Sequence, residues 1–220
     1  MTVAKALKQR RSIRKFLDKK IPEPLMKSIF TTAQLSPSNC NVQPWQSIVV
    51  SGNKKEALKE ALLIEVTNGT PANPDFDWGI KYQGIHRERQ FGAANALYGA
   101  MEIAREDKKS RHLALLRNWE FFDAPHVVFF TMDARLGMMS AVDIGIYAQS
   151  LALLFAEKGI GSCLQGALGQ FPNPVRKVLN LPENQGVLFG MSFGYIDNDS
   201  PINKVTTKRE IIDKAVCFIG

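Results

Sequence analysis

The stretch AVDIGIYAQSLALLFAEKGIGSCLQGAL, Ala141 to Leu168, decides the fold. Its first sixteen residues are almost wholly apolar, but Asp143, Gln149 and Ser150 interrupt them. They also fall short of the roughly 20 apolar residues that a membrane span requires. The segment therefore reads as a helix buried in a globular core, opened by a capping-box pattern at Ser140 and Asp143 and closed near Gly159. IGSCLQGAL then supplies a strand. A buried helix feeding a short strand calls for further strands to complete a sheet.

Three further strand candidates are present. WQSIVVSG (Trp45–Gly52) and PHVVFFTMD (Pro125–Asp133) are β-branched and aromatic runs, and GVLFGMSFGY (Gly186–Tyr195) is the last. Helical spacing marks PEPLMKSIFTTAQL (Pro22–Leu35), which Ser36-Pro37 ends because a residue before proline avoids the helical region. A helix is expected after Asn53, with Glu56 completing a capping box. Two amphipathic helices follow, in HRERQFGAANALYGAMEIARED and KKSRHLALLRNWEFF, and a short one in PNPVRKVLNLP, with Asn173 as its cap. About four strands among six or more helices predict an α+β protein, with a small mixed, mainly antiparallel sheet covered by helices. No linker divides the chain, so residues 1–220 read as one domain. The Pro-, Gly- and Asn-rich residues of about 65–90 read as a lid or substrate loop.

The 220 residues carry a formal charge of +7, which favours anionic ligands without naming them. The three cysteines, Cys40, Cys163 and Cys217, form no CxxC or even framework, so a reducing compartment without disulfides or zinc is expected. MTVAKALKQRR has no apolar leader, which makes the expected location cytoplasmic.

The chemistry-bearing residues are sparse. RRSIRKF (Arg10–Phe16) sets Arg10, Arg11, Arg14 and Lys15 around Ser12. A helix C-terminus accounts for one or two cations through its dipole; fork-shaped donors beside a hydroxyl also suit phosphate oxygens. SPSNCNVQPW (Ser36–Trp45) is a turn whose short amides and hydroxyls suit either solvent or the edge of a planar heterocycle. The glycines of Gly159–Gly169 match neither GxGxxG nor GxxxxGK[ST], so nucleotide phosphates would have to be held by side chains and ordinary loop amides. Phe76, Trp78 and Tyr82 either anchor the long loop or offer stacking surfaces. His86, His112 and His126 are scattered, and no acid–base pair stands out.

Taken in order, RRSIRKF, SPSNCNVQPW, GIGSCLQGAL and PINKVTTKRE (Pro201–Glu210) resemble the FMN-dependent nitroreductase family across nearly the whole chain. FDWGIKYQGIHRERQFGAANALYGAMEIAREDK (Phe76–Lys108) resembles the branch that includes nitrobenzoate reductases. The resemblance implies a sheet with helices on both sides and a close homodimer with FMN in the subunit interface. It places Arg10, Arg11 and Ser12 at the FMN phosphate and Arg14 at the pyrimidine edge. Pro37, Ser38, Asn39 and Asn41 would come from the other subunit, and Gln165 and Gly166 would turn backbone amides towards N5. Arg209 matches the C-terminal phosphate arginine. Relatives often carry a second basic residue where this chain has Thr206 and Thr207, which leaves Lys204 or Lys208 as substitutes. Phe76, Trp78 and Tyr82 would face substrate.

The expected activity is reduction of nitroaromatic compounds with a hydride from NADH or NADPH, by a two-step ping-pong exchange and with no catalytic side chain. The alternatives are an FMN-dependent quinone, enone or haloaromatic reductase, or a basic binding module that has lost the flavin. No nucleic-acid motif, membrane segment or metal site is expected.

Overall fold

The computed structural model describes residues 1–220 apart from Trp78 and Ile80. Its centre is a four-stranded antiparallel sheet of β1 (Gln46–Ser51), β2 (His126–Asp133), β3 (Ile160–Gln165) and β4 (Gln185–Tyr195), in the order β1-β2-β4-β3. β2 pairs on both sides and all but its last residue are buried, which explains its unbroken apolar run. The named strands pair only in antiparallel fashion; a single parallel bridge, Ser12 to Ser162, adds the amino-terminal segment to the outer edge of β3.

Helices cover both faces. On one, α2 (Glu23–Ala33) and α6 (Met138–Glu157) bury Ile29, Tyr147, Leu151 and Phe155 against Phe130, Met191 and Phe193. Trp45 stacks on Tyr147 with ring centroids 4.8 Å apart, and Phe155 on Phe193 at 4.7 Å. On the other, α3 (Gly52–Thr67) and α7 (Pro172–Leu179) bury Leu58, Leu62 and Val175 against Val127, Phe129 and Val187. α1 (Val3–Gln9), capped by Thr2, leads into the edge bridge. α4 (Gly84–Ala100) and α5 (Lys108–Leu116) have no buried residues of their own, and a short α8 (Ile212–Ala215) lies in the exposed tail.

Three helix starts differ from the sequence reading. α3 is preceded by Ser51, and Asn53 lies inside it because Gly52, at φ +58°, turns the chain directly from strand into helix. Glu56 is taken up by Lys55 and Lys59 instead of a cap. α6 begins at Met138, so Ser140 and Asp143 are buried in its first turns, where Asp143 accepts hydrogen bonds from outside the helix. α7 begins at Pro172, with Asn173 already inside. By length and composition α6 is long and apolar enough to cross a membrane; here its inner face is the core of the sheet layer.

Candidate functional site

β3 is an edge strand, and only its first half is covered. The Ile13 amide donates to the Ser162 carbonyl at 3.0 Å, after which the amino-terminal segment leaves the edge. Leu164, two residues on, is 42% exposed. Grooves open at both stretches of this strand.

The first groove, of about 840 Å³, lies between the amino-terminal segment, α6 and the start of β3, and is lined by Arg10, Arg11, Ser12, Arg14, Ser162 and Arg209. Asn203 holds this segment in place from the far end of the chain. Its Oδ1 accepts from the amides of Arg14 at 2.8 Å and Lys15 at 3.2 Å, and its Nδ2 donates to the carbonyls of Lys15 at 2.7 Å and Asp197 at 2.8 Å. Thr207 Oγ1 accepts from Arg209 at 2.7 Å and steers that guanidinium. Thr206 and Thr207 line the groove, whereas Lys208 and Lys204 do not.

Among the described residues none of these four arginines forms an ion pair. Four unneutralised guanidiniums on one groove repel one another, and a polyanion bound there relieves that repulsion. The donor set of forks plus hydroxyls fits a phosphate monoester.

The second groove, of about 690 Å³, lies at the end of β3 and includes Leu164, Gln165, Gly166, Phe76, Leu188 and Phe189. The Gln165 side chain is buried and faces inward: Ser192 Oγ donates to its Oε1 at 2.5 Å, and its Nε2 donates to the Asn118 carbonyl at 2.8 Å. Phe76 packs on Gly186, where a Cβ would lie 2.6 Å from its ring. Tyr82 is 48% exposed and lines neither groove, and Trp78 lies outside the described residues.

A third, smaller cavity of about 370 Å³ joins Arg14 to Arg117, Asn118, Phe122, Leu97 and Leu113. Arg117 and Asn118 were not singled out from sequence; the available signal was a cation and an amide just after an amphipathic helix. Unlike its neighbours, Arg117 is neutralised. Burial acts to lower its pKa, but the carboxylates of Asp123 and Glu120, each 2.8 Å away, outweigh that and hold it raised.

The turn of Pro37, Ser38, Asn39 and Asn41 stands apart from all three cavities. It is a fixed structure: Asn39 N donates to both Asp143 oxygens at 3.1 and 3.2 Å, Gln43 N donates to Ser38 Oγ at 2.9 Å, and Cys40, Asn41 and Gln43 all take positive φ.

An antiparallel sheet between helical layers, with a cationic groove at the start of its edge strand β3 and an apolar groove at that strand's uncovered end, defines an α+β protein with a site suited to a phosphorylated ligand beside a strand edge. The chain belongs to the nitroreductase family, whose model matches residues 7–195. It is 33% identical to a 4-nitrobenzoate reductase of Pseudomonas putida over 96% of this chain and 92% of that one. It is 32% identical to a chloronitrobenzene nitroreductase of Comamonas testosteroni over 97% of this chain and 95% of that one. The crystal structure of NfnB, an FMN- and NADPH-dependent nitroreductase of Sphigopyxis sp. strain HMH, superposes with a TM-score of 0.97 at 32% identity and covers all of both chains. The nitroreductase fold expected from the motifs is the fold observed.

Proposed function

We propose that this protein is an FMN-dependent oxidoreductase that takes a hydride from NAD(P)H and reduces nitroaromatic compounds in a two-step ping-pong exchange. The observation that carries this reading is the set of four arginines on the groove at the start of β3, none of them in an ion pair among the described residues, with a second, apolar groove at the free end of the same strand. Arg10, Arg11, Ser12 and Arg209 bind the FMN phosphate, with Lys208 close by in the chain. Arg14 and Asn118 flank the pyrimidine edge, and the backbone of Gln165 and Gly166 faces the ring. FMN, when bound, supplies the centre that accepts a hydride and passes it on.

The chain's own part is positioning. Asn203 fixes the Arg14 backbone, the Ser192–Gln165–Asn118 chain fixes the end of β3, and the apolar wall of Phe76, Leu188 and Phe189 excludes water. No side chain is assigned as acid or base.

The working form in this reading is a homodimer in which Pro37, Ser38, Asn39 and Asn41 reach the partner's flavin. The outer face of α6 supports it, with Met138, Met139, Val142 and Ile146 exposed, as does a tail that leaves Ile211, Ile212, Phe218 and Ile219 uncovered. Apolar surface of this extent marks an interface. Residues 1–220 act as one domain, with the segment between α3 and α4 as the substrate loop, and the free thiols of all three cysteines suit a cytoplasmic protein.

The test is stopped-flow reduction of the FMN-loaded protein by NADH and by NADPH, followed by reoxidation with nitroaromatics and quinones. Bleaching of the flavin and rapid recovery with nitroaromatics are expected. Failure of both nicotinamides to bleach it refutes the reading.

A further inference from the structure

We propose that the pocket at the end of β3 selects neutral and cationic nitroaromatic compounds over aromatic carboxylates, and that Asp77 sets this preference. The inference rests on the function proposed above and takes this pocket, which the flavin-facing Gln165 and Gly166 share with Phe76 of the substrate loop, as the one that receives the substrate.

The walls are hydrocarbon: Phe76, Met132, Leu164, Leu188 and Phe189. The only ionisable side chains among the described lining residues are two carboxylates, Asp75 and Asp77. They differ in state. Asp75 Oδ2 accepts from Arg176 at 3.0 Å and from the Val187 amide at 2.8 Å, so its charge is compensated and its role is to pin the loop to β4 and α7. Among the described residues Asp77 accepts only from the Gly79 amide, at 3.1 Å, and forms no ion pair. It is exposed at the pocket mouth.

An aromatic acid entering this space brings a second negative charge towards Asp77 with no lysine, arginine or histidine among the described lining residues to receive it. Two like charges about 7 Å apart, at an effective dielectric between about 20 and 80, disfavour binding by about 3- to 50-fold. The amino end of α6, at Gly137 and Met138, also borders the pocket. Its dipole offers at most about half a positive charge, so the full carboxylate prevails. A neutral substituent escapes the repulsion and a cationic one gains from it. The name of the Pseudomonas putida relative therefore does not transfer to this chain as a substrate.

The test uses the FMN-loaded protein and three isosteres, 4-nitrobenzamide, 4-nitrobenzoate and 4-nitrobenzamidine. Flavin bleaching by NADPH alone is recorded first, since its absence sinks the functional reading and this inference with it. kcat/KM is then measured for each compound. The amide and the amidine are expected to exceed the acid by about fivefold or more at low ionic strength, within the range set by the Coulomb estimate. A carboxamide also makes the ring more electron-poor than a carboxylate does, so the changes in the ratio carry the test. The acid-to-amide ratio is expected to rise at least about threefold when salt is raised to about 0.5 M, through screening, and again in Asp77→Asn, which keeps the acceptor for Gly79. A carboxylate used as well as the amide overturns the proposal. So does a preference that moves with neither salt nor the substitution, because shape alone then accounts for it.

Discussion

Arg14 and Asn203, 189 residues apart, are joined by a hydrogen bond of 2.8 Å from the Arg14 amide to the Asn203 carboxamide oxygen, on a side chain only 2% exposed. Every polar atom of that carboxamide is used, and the backbone it secures carries three of the groove's cations. Asn203→Ala leaves the part-buried amides of Arg14 and Lys15 and the Asp197 carbonyl without partners. A stability loss of about 2–4 kcal/mol is expected, visible as a lower urea midpoint, together with weaker FMN retention. Asn203→Asp keeps the acceptor and forfeits the donor, and should fall between the two. Equal stability of all three forms would show that water replaces the carboxamide.

Arg10 and Arg209 face the groove from opposite ends of the sequence. A charge-assisted hydrogen bond to phosphate contributes about 1.5–3 kcal/mol, so Arg10→Ala and Arg209→Ala should each weaken FMN binding about 10- to 150-fold. Riboflavin, which lacks the phosphate, should bind both variants about as it binds the parent. Fluorescence titration with the two flavins separates a phosphate contact from general damage: a parallel loss for riboflavin would remove these arginines from the phosphate site.

His126 sits in the core against Phe193, ring centroids 5.3 Å apart. Its Nε2 accepts from the Ile21 amide at 3.0 Å, which leaves the proton on Nδ1, donated to Ser51 Oγ at 2.5 Å. Burial, with smaller contributions from Lys55 and Lys20, lowers its pKa to about 4. Since the folded pKa lies below the unfolded value of about 6.5, the unfolded chain takes up a proton first as pH falls. The contribution is complete above about pH 6.5 and is lost progressively down to about pH 4, with a total on the order of 3 kcal/mol. Denaturant unfolding between those limits should show the slope, and His126→Gln should flatten it. An unchanged slope would move the titration elsewhere.

The centre of the sheet was legible because β2 is buried on both faces and so appears in sequence as the unbroken apolar run His126–Asp133, while β1, only partly buried, showed through its β-branched residues. Helix starts were less so. Ser140 and Asp143 carry the residue types of a cap, yet Asp143 serves the Asn39 amide, a tertiary choice that local spacing does not encode. In the site, the arginines at 10, 11 and 14 were visible as clustered charge, and Arg209 only through the family resemblance. Arg117, Asn118, Ser192 and Asn203 were not, because their roles exist only once β3, α5 and the carboxyl-terminal region meet.

The loop between α3 and α4 offers a last test, because one carboxylate ties it to two elements at once, beside a single backbone bond from the Asn73 amide to the Gln170 carbonyl at 3.0 Å. Asp75 bridges Arg176 on α7 and the Val187 amide on β4, with both side chains less than a quarter exposed, and Phe76 follows directly into contact with Gly186. Asp75→Ala breaks both bonds and leaves the partly buried Arg176 without its counter-charge, for a local loss of about 1–3 kcal/mol. Spread over the loop alone, that raises the population of its open form about 5- to 150-fold, and limited proteolysis within residues 68–83 should accelerate accordingly. Global unfolding should change less than the loop does, because the sheet core does not depend on this contact. The decisive comparison is with Gly186→Ala, which drives a methyl into the Phe76 ring and leaves the ion pair intact. If both variants open the loop, Phe76 is held from two sides. If only Asp75→Ala does, the ion pair is the fastening and the ring merely rests on the strand.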